Sequence, residues 1–144
     1  MTLEWTPDLA IGNEVIDRQH QSLFAKFNDF LEGCNQGLAK EPLLELFNFL
    51  DHYVEVHFRA EEGLMRVAGF PGFSEHRAEH LQFQEKLKAL EEELRTTGVT
   101  PQILIRTNKA LIYWLTTHIS QVDPLFATFL QSQSDKIPPI DPAT

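Results

Sequence analysis

Residues 50–65 read LDHYVEVHFRAEEGLM. Here Leu50, Val54, His57, Glu61 and Leu64 recur at steps of three or four, the spacing that places side chains on one face of an α-helix. That face begins and ends apolar, but a histidine and a carboxylate stand one turn apart in its middle. A helix that turns an imidazole and a carboxylate toward a core needs neighbours whose chemistry compensates their burial.

Outward from this stretch the same period continues. Upstream, Leu43 and Leu46 extend the face to Pro42, which suits a first helical turn. Downstream the helix stops near Gly69, and Gly69-Phe70-Pro71-Gly72 reads as a turn. Before it, Ile16, Leu23, Phe24, Phe27 and Leu31 predict a helix over 13–36, with Asn13 as N-cap, Glu14 and Asp17 in its first turn and its end near Gly37. After the turn, Ser74 is the expected cap of a third helix carrying Phe83, Leu87, Leu90 and Leu94 up to Gly98. Thr100-Pro101 opens a fourth, with Leu104, Leu111, Leu115 and Val122 on one face, reaching Phe126 and Phe129 if the chain stays helical past Pro124.

Residues 1–12 are expected to form an N-terminal arm with Trp5 tucked in, and residues 132–144, with Pro138, Pro139 and Pro142, an extended tail. No segment alternates apolar and polar residues as a strand would. The expected fold is therefore all-α: a single domain over 1–144 whose residues 13–131 form an up-down-up-down antiparallel four-helix bundle.

Composition narrows the function. The 144 residues can bury a sizeable core, and 12 Lys+Arg against 21 Asp+Glu leave a net charge of −9, which repels nucleic acid and anionic membrane. No apolar run approaches the length of a membrane span, so no membrane insertion is expected. The N-terminus lacks the basic and apolar regions of a signal peptide, and the single Cys34 is compatible with a reducing compartment; a cytoplasmic monomer is the expectation.

Every helix repeats the anomaly of residues 50–65. His20 interrupts the first face, His57 and Glu61 the second, His76 and His80 the third, and His118 the fourth. Five imidazoles and a carboxylate left without partners in a core cost about 1–3 kcal/mol each, against a net stability of about 5–15 kcal/mol. Metal coordination is the simplest compensation. Counting from the turns agrees. His20 lies 19 residues before a turn centred near residue 39 and His57 lies 18 after it. His80 and His118 each lie 19 residues from a turn near 99, and Glu61 and His80 lie 10 and 9 residues from a turn near 71. At about 1.5 Å per residue these positions share one layer.

Asp123 follows His118 by five residues, which in an undistorted helix turns it about 140° away. Either it stands apart from the layer or the helix is locally distorted; Pro124, which removes a backbone donor, favours distortion. His52 is expected at the surface or rim, Cys34 as a packing residue and Glu91-Glu92-Glu93 as a solvated face.

These residues resemble the hemerythrin family in its bacterial single-domain form. The likeness spans about residues 5–125: Trp5, Ile16-Asp17-Arg18-Gln19-His20, His57 with Glu61, Pro71-Gly72-Phe73, His76 with His80, and Trp114 through His118-Ile119 to Asp123. It implies two iron ions bridged by Glu61, Asp123 and an oxo or hydroxo group, with His76, His80 and His118 on one iron and His20 and His57 on the other. It also implies an oxygen pocket walled by Leu23, Phe58, Trp114, Leu115 and Ile119, and it makes the five-residue step to Asp123 a family feature. Pro124 directly after the aspartate, and Gly69-Phe70 before Pro71, depart from the family's usual residues.

Seven donors in two unequal sets suit five- and six-coordinate iron better than tetrahedral zinc. The expected function is reversible binding of molecular oxygen, for storage, transport or delivery to a protein partner. An oxygen or redox sensor and a di-iron enzyme of the peroxidase, ferroxidase or nitric-oxide-handling kind are the alternatives.

Overall fold

The computed structural model describes residues 3–134. Four antiparallel rods make the molecule: α1 (Glu14–Asn35), α2 (Lys40–Ala68), α3 (Phe73–Thr97), and a fourth in three parts, α4 (Pro101–Tyr113), a π-helical segment (Trp114–Val122) and α5 (Asp123–Ser134). Each rod packs on the next, and α1 also meets α4, so the ring closes. There is no strand among the described residues, and no helix there is long and apolar enough to cross a membrane.

Local chemistry sets the ends. The Asn13 side chain accepts from the Ile16 N–H, and the Thr100 side chain caps α4 in the same way ahead of Pro101. At the end of α2, Gly69 takes the left-handed conformation at φ 68°, and the Gly69 and Phe70 N–H groups close back on Arg66 and Met65. Two boundaries differ from expectation. α2 begins at Lys40, two residues ahead of Pro42, which still falls in the first turn. α3 begins at Phe73 with Gly72 before it and no side-chain cap, so Ser74 lies inside the helix rather than capping it.

Inside the ring lies one apolar cluster built from Leu23, Phe27, Phe30, Leu43, Leu46, Leu50, Phe83, Leu87, Ile103 and Leu111, among others. Leu3, Trp5 and Leu9 of the arm pack against it, and Leu3 exchanges two hydrogen bonds with the Asn28 side chain of α1. A second cluster of Ile11, Ile16, Met65 and Phe126 closes the opposite end; the chain does stay helical past Pro124, and α5 runs to Ser134, beyond the boundary expected at 131. Of the tail, Pro138, Pro139 and Pro142 lie outside the described residues. Val54, Leu64, Leu104 and Val122, read as core from the period, are only half-buried; Phe47, Tyr53, Ile103 and Trp114 hold the inner positions.

The acidic run is not wholly solvated. Glu91 buries its Oε1 without a hydrogen-bond partner, and burial, followed by the neighbouring Asp51 carboxyl of α2, raises the Glu91 carboxyl to about 8. The folded state thus holds a proton that the unfolded chain releases near 4.5, so stability is fully present below about 4.5 and is lost as pH climbs through about 8. Glu91→Gln removes the titration. In parallel thermal melts the variant's advantage over the parent is expected to open above about pH 4.5 and level off above about pH 8; an advantage independent of pH refutes the assignment. A second prediction concerns the α1–α2 turn. A Cβ on the buried Gly33 would lie 2.7 Å from Pro42 Cγ and 3.0 Å from the Leu38 carbonyl oxygen. Gly33→Ala therefore destabilises by about 1–2 kcal/mol in denaturant melts despite alanine's better helix propensity.

Candidate metal centre

All six residues that interrupt the helix faces, and Asp123, meet in one buried layer. His20, His57, Glu61, His76, His80, His118 and Asp123 are each at most 2% exposed. His57 and Glu61 come from α2, His76 and His80 from α3, His20 from α1, and His118 from the π-helical segment. That segment settles the position of Asp123. Its wider turn gives i to i+5 hydrogen bonding, and the Asp123 N–H bonds the His118 carbonyl, so a five-residue step returns to the same face. Pro124 falls in the first turn of α5, where a missing N–H is tolerated.

The imidazoles fall into two sets. His76, His80 and His118 gather with Glu61, and His20 and His57 gather with Glu61 from the other side. Glu61 turns Oε1 to His76 and His80 at 2.5 and 3.4 Å, and Oε2 to His57 and His20 at 3.0 and 3.9 Å. Asp123 does likewise, with Oδ1 at 2.8 Å from His76 and 3.1 Å from His118, and Oδ2 at 3.3 Å from His20. Each carboxylate divides its two oxygens between the two sets.

These contacts are not hydrogen bonds in the main. The Nε2 atoms of His76, His80 and His118 and all four carboxylate oxygens are buried without a hydrogen-bond partner, although polar atoms lie within 3.5 Å. Donor atoms that converge without pairing suit a cation, and imidazole with carboxylate suits iron. The electrostatics agree. Burial alone would raise the Glu61 and Asp123 carboxyls, but contacts from His57, His76 and His80 hold Glu61 well below its ordinary value, and His118 and His76 lower Asp123. Burial depresses His20 to about 4, whereas at His76 the carboxylates of Asp123 and Glu61 outweigh burial and raise the imidazole to about 10. Two carboxylates held ionised in a dry core attract positive charge strongly.

Four residues of this site are not legible in the helical period. The His57 Nδ1 lies 2.7 Å from Gln19 Oε1, the His80 Nδ1 lies 2.9 Å from Glu62 Oε2, and the His118 Nδ1 lies 3.5 Å from Glu79 Oε1. Each helix thus lends a polar group to a histidine of the next; at His57 and His80 the contact is a hydrogen bond, which orients the ring with Nε2 inward. The available signal is adjacency, since Gln19, Glu62 and Glu79 each flank a buried donor in sequence. Tyr53, one turn before His57, stacks on that imidazole at 4.5 Å and 11°. Phe58 stacks on His80 at 3.9 Å and Trp114 on His118 at 3.8 Å. Leu23, Leu115 and Ile119 are fully buried in the same cluster. His52 lies exposed on the far side of α2, and Cys34 is half-buried against the core.

A family model described as "Hemerythrin HHE cation binding domain" matches residues 11–130. A bacteriohemerythrin of Stenotrophomonas maltophilia is 30% identical over 87% of this chain and 79% of its own length. One from Methylococcus capsulatus is 29% identical over 81% of this chain and 86% of its own, and a hemerythrin-like protein of Naegleria gruberi is 27% identical over 83% and 86%.

If the Nδ1 partners orient the imidazoles, Gln19→Ala and Glu62→Ala each lower affinity for ferrous iron about ten- to a hundredfold in anaerobic chelator competition. Glu55→Ala, at an exposed position of α2, leaves it unchanged. Equal affinity for all three variants would reduce the contacts to packing.

Proposed function

The chain belongs to the hemerythrin family, and we propose that its buried cluster holds a pair of iron ions with which it binds molecular oxygen reversibly, for storage, transport or delivery. The observation that carries this reading is the division of each carboxylate between two histidine sets, the arrangement by which Glu61 and Asp123 can bridge two cations. In this reading His76, His80 and His118 would hold one iron and His20 and His57 the other, with Glu61 and Asp123 shared between them. Two ferrous ions held there would supply, between them, two electrons for binding oxygen.

The protein's own contribution is orientation and dryness. Gln19 and Glu62 hold two imidazoles by their outer nitrogens, Glu79 stands beside a third, and the stacked rings of Tyr53, Phe58 and Trp114 restrict their rotation. Leu23, Phe58, Trp114, Leu115 and Ile119 are proposed as the wall of the oxygen pocket, and their burial excludes the water that would promote irreversible oxidation. Three donors on one side against two on the other leave the His20–His57 side with more room for an external ligand. Five neutral imidazoles and only two carboxylates make a donor set poor in anions. The carboxylate-rich di-iron bundles are built otherwise, and this contrast favours binding over turnover.

The test is to load the protein anaerobically with ferrous iron, admit oxygen, then degas, following iron content and the visible spectrum through repeated cycles. About two irons per chain and a band that appears and disappears over many cycles are expected. Immediate irreversible oxidation, or sustained turnover with the metal retained, would transfer the protein to the sensor or enzyme class, and absence of bound iron would refute the reading.

A further inference from the structure

One surface pocket combines cationic, aromatic and apolar groups. It has a volume of about 380 Å³ and lies between α3 and α4, with Leu90 and Ala110 among its apolar lining residues and Lys86, Arg106 and Lys109 contributing cationic groups. The 12 cations of this chain are outnumbered by 21 acids, so three at one opening mark a local reversal of charge. Arg106 is ion-paired with Glu93, which leaves the lysines as the net positive groups. Tyr113, 47% exposed, presents an aromatic ring there, and the Lys86 ammonium sits 5.2 Å from its centroid.

A second, much smaller cleft adjoins the pocket. It shares Lys86, Ala110 and Tyr113 with the pocket and is lined beyond them by Phe83, Glu79 and Trp114. Trp114 stacks on Phe83 at 4.2 Å and on His118 at 3.8 Å and 8°, and Glu79 Oε1 lies 3.5 Å from the His118 Nδ1. Trp114, next in sequence to the pocket residue Tyr113, therefore lies between the adjoining cleft and a histidine of the cluster.

We propose that this pocket binds a planar aromatic anion of the flavin mononucleotide class, which in its reduced form returns electrons to the centre through Trp114 and His118. The Lys86 ammonium leaves the Tyr113 ring to meet the phosphate with Lys109, and the ring system takes its place against Tyr113 and the apolar lining; the volume is that of a small-molecule site. Dihydroflavin loses two electrons and two protons and becomes oxidised flavin. Each of two ferric ions gains one electron and becomes ferrous, and the protons pass to solvent. The electron-delivery role rests on the di-iron reading; the binding site does not.

Flavin mononucleotide is titrated into the metal-free full chain, following quenching of flavin fluorescence, with riboflavin as the uncharged comparison. Saturable 1:1 binding is expected, tighter than riboflavin and weakened about tenfold in Lys86→Glu/Lys109→Glu, both exposed positions whose change leaves the melting temperature intact. No binding, equal binding of riboflavin, or unchanged binding by the variant overturns the site. In iron-loaded, oxidised protein, reduction by subsaturating dihydroflavin is expected to slow by the same factor in the variant; an unchanged rate overturns the delivery role. Failure to take up iron would refute the di-iron reading while the metal-free titration still decides the pocket.

Discussion

Glu61 and Asp123 sit ionised at the centre of a bundle whose walls are phenylalanine, leucine and tryptophan, and each offers one oxygen to either side. Two carboxylates in a dry core repel one another and lose their hydration, so the fold tolerates them only where positive charge is supplied. The five imidazoles form the surrounding shell. A proton on His76, whose imidazole the two carboxylates raise to about 10, answers part of that demand. The rest of the molecule serves that constraint: apolar clusters lie toward both ends of the bundle, with the polar layer between them.

The histidines are held by relay. α1 supplies Gln19 to a histidine of α2, α2 supplies Glu62 to one of α3, and α3 supplies Glu79 to one of the π-helical segment. No helix orients its own histidine by these contacts, so the centre's geometry depends on the ring being assembled. Stacking of Tyr53, Phe58 and Trp114 on three of the imidazoles removes the remaining rotational freedom, and these aromatic rings join the layer to the apolar core. Stability and site geometry are thus properties of the same contacts.

The junction between α4 and the π-helical segment links interior and surface. Tyr113, the last residue of α4, is exposed beside the cationic pocket, and Trp114, the first of the wider turn, is buried against His118. Two consecutive aromatic residues therefore face opposite ways. The distortion that brings Asp123 into the layer begins at this junction.

The helical period of the sequence by itself determined the four rods, the faces that meet, and six polar residues on those faces, because three- and four-residue steps and breakers such as Gly69 and Gly98 are local properties. Counting from the turns placed five of those six at one height, since helical rise is uniform, and His76 lies one turn from His80. Asp123 was different: its five-residue step was unresolved by the α-helical period and was joined to the site only by family resemblance. The tertiary structure supplied the physical account, a run of i to i+5 hydrogen bonding through Val122. Gln19, Glu62 and Glu79 lie at the seams between helices, and Tyr53 at an inner position that the steps through Leu50, Val54 and His57 pass over. Only the packing of one helix on the next decided which polar neighbour meets which histidine, because one-dimensional periodicity encodes a residue's own face and not the side chain that lies across from it.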